Sequence, residues 1–245
     1  SRSSGVGGAS IQAASNKIID KCKLVVSHYL EAAVEDIEFD DGTFTVAGTD
    51  KTMSLMEAAK NAQSFMTAPP GFEVGLDEWA AWSPPAPTFP NGCHVAEVEI
   101  DPDTGVTEIV RYCMVDDVGT VINPLLLAGQ VHGGAVQGIG QIMCENMVWD
   151  DESGQMVSGS FMDYTMPRAD DCPSFEMAEN EVPSPTNPMG IKGAGEAGCV
   201  GAMPAVMNAV VDALSTRGIR TLDMPASPNR IWQALQASKS QQAAE

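Results

Sequence analysis

Basic residues are scarce in this chain: 13 Lys and Arg stand against 33 Asp and Glu, giving a formal net charge of -20 and a pI near 4.3. Phosphate backbones and anionic lipid need a basic face, so the charge argues against nucleic acid or an acidic membrane as partner. No run of about 18 apolar residues stands out, which argues against a span through a bilayer. Six cysteines are present, but no C-x-x-C pair occurs and the spacing suits neither a zinc nor an iron–sulfur site. Without a secretory pattern a disulfide framework is not expected. The thiols are read as reduced and mostly buried, and the chain as cytoplasmic. The three histidines, His28, His94 and His132, are isolated and read as structural. A metal working here would not be held by protein side chains. An initiator Met is also missing ahead of SRSSGVGG, so the chain is read as a piece of something larger: a split subunit, a processed product or a deliberately cut one.

What is present is globular. The composition is 44% hydrophobic and 19% charged over 245 residues, enough for a substantial core in one large domain or two small ones. Residues 1–236 are read as one domain with a possible subdivision near 85–92, and 237–245 as a frayed tail. Ile11, Ala14, Ile18, Cys22, Val25, Val26, Tyr29 and Leu30 recur at helical spacing, predicting a helix over Ser10–Ala33. IEFDDGTFTV predicts a hairpin around Asp41-Gly42. Ser54, with Glu57 three residues on, predicts a capped helix to about Phe65.

Six prolines between Pro69 and Pro90 predict an extended connection. Its Trp79, Trp82 and Phe89 are expected to pack it onto a neighbouring surface. From Gly92, two alternating segments predict an antiparallel hairpin, CHVAEVEID followed by DPDTGVTEIVRYCMVDD. Residues 123–147 predict a buried helix, apolar or small almost all round. Residues 147–161 and 175–182 look strand-like, and helices are expected over Met203–Leu214 and Asn229–Ala237. Hairpins followed by separate helices predict an α+β fold with mixed and antiparallel sheets and packed helices.

Two glycine-rich constellations carry the chemistry. In Gly129-Gln130-Val131-His132-Gly133-Gly134, the Gln130 amide could recognise a polar heterocycle or a metal oxo group. The plainer alternative is a helix packing closely on another. Gly190-Ile191-Lys192-Gly193-Ala194-Gly195-Glu196-Ala197-Gly198 contains G-x-G-x-x-G, but Pro183, Pro185 and Pro188 exclude the strand that a dinucleotide fingerprint requires. Glu196 is left as a carboxylate on a bare loop. It is a candidate general base, or else a residue that caps the next helix or pairs with Lys192.

Four segments in order, SRSSGVGGASIQAA, DDVGTVINPLLLAGQVHGGAVQGIGQ, SFMDYTMPRA and VPSPTNPMGIKGAGEAG, resemble the molybdenum hydroxylases, the family of xanthine dehydrogenase, aldehyde oxidase and carbon monoxide dehydrogenase. The resemblance covers nearly the whole chain and corresponds to the C-terminal part of a molybdopterin-binding large subunit. It implies molybdenum held by the dithiolene of a pterin, in a cytosine dinucleotide form, shared with the N-terminal part of the subunit. Iron–sulfur (2Fe-2S) and FAD centres are expected on partner subunits. Glu196 matches the family's catalytic glutamate, which takes the proton from a metal-bound hydroxide that attacks an electron-poor carbon of an aldehyde or N-heterocycle. Gln130 matches the glutamine whose loop contacts the cofactor, with Gly133 and Gly134 allowing approach. Ser1, Arg2, Ser3 and Ser4 match the loop that cradles the pterin or its phosphates. Lys192, Gly193 and Gly195 shape the glutamate loop. A non-catalytic cofactor-binding or assembly module of the same complex is the alternative expectation.

Overall fold

A computed structural model describes residues 2–242, with side chains through residue 240. It divides into two compact units, one of Ser3–Pro85 and one of the chain from Ala86 onward, with which Arg2 is grouped.

The first unit begins with α1, Ser3–Leu30. The helix starts seven residues before the position that periodicity indicates. Gly5 and Gly7 face open space, and no packing contact at either accounts for the early start. Three strands follow, β1 (Ile37–Asp40), β2 (Thr43–Val46) and β3 (Thr52–Ser54), in an antiparallel sheet ordered β1-β2-β3. Phe39 lies opposite Phe44, as the hairpin requires. α2, Leu55–Ala62, begins where Ser54 accepts a hydrogen bond from the backbone N–H of Glu57 at 3.2 Å, satisfying a helix-end donor. Cys22 and Val26, one turn apart on α1, pack with Ile37, Phe44, Met53 and Ala58 into the unit's core. The proline-rich stretch has no regular structure, as expected. Its aromatics depart from expectation: Trp79 and Phe89 are 79% and 69% exposed, and only Trp82 is half-buried. Lys17 lies over the Trp79 ring and donates to its carbonyl at 2.9 Å.

The second unit holds β4 (Asn91–Ile100) and β5 (Thr107–Asp117), paired antiparallel with a bulge between Glu97 and Val98. α3, Pro124–Met143, follows, with Asn123 accepting from the N–H of Leu126. β6, Phe175–Glu179, joins β5 in parallel, so the sheet is mixed. Then come α4, Ala197–Ser215, and α5, Pro228–Gln242. The fold is α+β. Of the strand-like residues 147–161, only a single bridge forms, between Trp149 and Met156. All six cysteines are free.

The core of this unit lies between the sheet and the two long helices. Val131, Ala135, Ile139 and Ile142 of α3 meet Ala202, Val206, Val210 and Leu214 of α4 over Tyr112 and Met114 of β5. α4 starts well before Met203, across Gly198 and Gly201, because packing overrides weak local propensity. It is also long and apolar enough, by length and composition, to cross a membrane, unlike what the sequence led us to expect. Its stripe of buried Ala and Val residues in the core accounts for that apolarity.

Candidate active site

The helix crossing sets the site. An added Cβ at Gly134 would lie 3.0 Å from the backbone N of Cys199, and one at Gly138 would lie 2.8 Å from the Ala202 side chain. On the other helix, a Cβ at Gly198 would run into the Val131 carbonyl. Absent side chains on both helices let the two backbones approach closely. Consequently the N-terminal end of α4 lies beside α3 at Gln130, whose Nε2 donates to the Gly195 carbonyl at 3.0 Å. The two glycine-rich constellations are one place in the fold.

The loop before α4 is held from several sides. Ile191 forms a bridge with Gly119, the N–H of Thr120 donates to the Gly190 carbonyl at 2.9 Å, and the N–H of Lys192 donates to the Val118 carbonyl at 2.8 Å. Gly119 and Gly190 both have positive φ, +67° and +68°, a conformation that favours glycine. The buried Asn187 side chain clamps Ile191 at both its N–H and its carbonyl, 3.0 and 2.8 Å. Lys192 pairs with Asp117 at 2.5 Å, and the two side chains are about equally buried. Burial alone would push the Asp117 carboxyl up. Hydrogen bonds from Lys192 and from the N–H groups of Gly119 and Val182, with the Lys192 charge, outweigh it and hold the group down at about 2.

Glu196 occupies the N-cap position of α4, but its side chain makes no capping bond, and Lys192 is engaged elsewhere. Among the described residues its carboxylate is exposed and has no hydrogen-bonding or ionic partner. Both structural readings of Glu196, as cap and as partner of Lys192, are therefore corrected. Gly129 and Gly133, on the exposed face with Gln130, would each meet nothing within 4 Å if given a side chain, whereas Gly134 faces α4. Gly193 and Gly195 lie half-buried in the loop. Ser3 and Ser4 are exposed in the first turn of α1, in the other unit, where a loop was expected, and Arg2 just precedes it. Ser1 lies outside the described residues. Asp117 and Asn187 escaped sequence reasoning as site residues, although both lie inside the segments that carry the family resemblance.

Among the described residues no three His, Cys, Asp or Glu side chains converge as metal ligands. A bare helix face beside an unpartnered carboxylate instead fits a bulky organic ligand that carries its own metal. Residues 1–173 match the family described as molybdopterin cofactor-binding domain. The chain is 37% identical over 235 residues to the carbon monoxide dehydrogenase large chain of Hydrogenophaga pseudoflava, covering 96% of this chain and 29% of that one. It is 37% identical over 236 residues to the nicotine 6-hydroxylase large subunit of Paenarthrobacter nicotinovorans, with the same coverage. The solved quinoline 2-oxidoreductase of Pseudomonas putida 86 superposes with a TM-score of 0.88 at 40% identity, over 96% of this chain and 30% of that one. The chain belongs to the molybdenum hydroxylase family, within its molybdopterin-binding region. It spans under a third of the length of these relatives.

Proposed function

We propose that the chain is the C-terminal part of the molybdopterin-binding subunit of a molybdenum-dependent hydroxylase, which oxidises an aldehyde or an N-heterocycle with water as the oxygen source. The cofactor, when bound, supplies the oxygen-transferring and electron-accepting centre. Glu196 acts as general base: its carboxylate holds the proton that leaves as the new carbon–oxygen bond forms. Its lack of a neutralising partner carries this reading, because a base already paired with a cation is a weaker proton acceptor. Gln130 fixes the Glu196 loop through Gly195 and presents the rest of its amide to the cofactor, and the bare surface at Gly133 admits the pterin. Gly134 acts from beneath by keeping α4 close. Lys192, Gly193 and Gly195 shape the loop. Ser1, Arg2, Ser3 and Ser4 bind the pterin or its phosphates.

The relatives' names include one oxidising carbon monoxide and two acting on nitrogen heterocycles, which supports an electron-poor carbon as the target. The cofactor is the cytosine dinucleotide form. Turnover requires the N-terminal part of the subunit together with 2Fe-2S and flavin subunits, in the cytoplasm, and this chain alone is inactive. Metal and nucleotide analysis of the native complex, followed by dye-linked oxidation of aldehydes and N-heterocycles, tests the reading. Molybdenum with a cytidine nucleotide and dye reduction are expected. A complex without molybdenum, or one that carries it and turns over none of these substrates, favours the non-catalytic module.

A further inference from the structure

We propose that Asp117 is the positioning residue of the catalytic loop, gathering Lys192 so that Glu196 stays unpaired; this rests on Glu196 being the base. Asp117 ends β5 and is 9% exposed. Its Oδ1 accepts from the N–H of Gly119 at 2.9 Å and of Val182 at 3.1 Å, and its Oδ2 accepts from Lys192 Nζ at 2.5 Å. One buried carboxylate thus ties together the turn after β5, the chain after β6 and the loop that leads into α4.

Lys192 is the only cation between Val182 and Arg217, and it stands four residues before Glu196. Released, its ammonium would be drawn to the nearby unpartnered carboxylate, stabilising the charge and weakening the base. The neighbouring acids do not replace Asp117. Asp116 faces the other side of β5, where His94 Nε2 lies 3.2 Å away, and Glu181 accepts from the N–H of Val121 at 2.9 Å. Glu179 lies opposite Asp116 in the β5–β6 register and is exposed.

Asp117→Asn provides a near-isosteric test. It can keep the two backbone bonds at Oδ1 while placing an N–H donor where Lys192 Nζ now sits. In the complete enzyme we expect kcat to fall by about 10-fold or more, KM to stay within about twofold, and the acid limb of the kcat–pH profile to move to lower pH. Molybdenum content should match wild type. Adding Lys192→Met should recover part of the lost kcat, and a crystal structure of the Asp117→Asn holoenzyme should show Lys192 Nζ on the Glu196 carboxylate. Unchanged kcat and pH limb in Asp117→Asn, or a double variant no better than the single one, overturns the proposal. If Asp117→Asn does not fold, the wild-type holoenzyme structure decides: Lys192 on Asp117 supports the proposal, and Lys192 on Glu196 ends it. Glu196→Gln separates the two levels. Full turnover there removes the underlying reading, whereas lost turnover beside an unaffected Asp117→Asn removes this inference alone.

Discussion

Gln130 and Gly195 stand 65 residues apart and are joined by a 3.0 Å hydrogen bond from a side-chain amide to a backbone carbonyl. Through it the exposed face of α3 and the start of α4 act as one surface. Gln130→Leu removes the bond without touching the core. We expect a small stability cost, about 1 kcal/mol or less, but faster amide hydrogen exchange over residues 190–197 in the assembled enzyme. Unchanged exchange there would show that the bond does not hold the loop.

The crossing of α3 and α4 depends on missing side chains. Gly198→Val pushes atoms into the Val131 carbonyl, and overpacking of this kind costs about 1–3 kcal/mol. A clear fall in melting temperature is expected. Gly133→Leu is the contrast: its Cβ meets nothing, so thermal stability should hold while molybdenum content drops, if the cofactor approaches there.

Asp117 also makes an acid-dependent prediction. Its carboxyl titrates at about 2 in the folded chain and near 4 when unfolded. Between those values the unfolded chain binds the proton first, so this group's contribution is present above pH 4 and is lost as pH falls toward 2. The melting-temperature gap between wild type and Asp117→Asn should therefore be wide at pH 7 and narrow below pH 3. A gap that does not change with pH would contradict the assignment.

Arg111 and Glu176 pair through two 2.8 Å bonds between β5 and β6, yet each side chain is more than half exposed. Arg111→Ala should shift stability by no more than about 1 kcal/mol. A large loss by chemical denaturation would mean that this surface is covered in the assembly.

Local chemistry made much of this fold legible. Ser54 and Glu57 announced α2, the alternation after Gly92 announced β4 and β5, and both glycine-rich segments lie at the candidate site. What escaped depends on distant contacts. The start of α4 was hidden because Gly198 and Gly201 disfavour a helix until α3 packs against it. β6 pairs in parallel with β5 across a long intervening segment, a partnership that no short pattern encodes. Residues 147–161 alternate like a strand but find no neighbour beyond the Trp149–Met156 bridge. Asp117 reads as an ordinary strand-end acid until Lys192, 75 residues on, is brought to it.

The most direct test is the anaerobic rate of substrate oxidation by the complete enzyme carrying Glu196→Gln, measured beside its molybdenum content. With the metal retained in full, the rate should fall by about 10² to 10⁴-fold. A metal-replete variant that oxidises substrate at the wild-type rate would contradict the role assigned to this carboxylate.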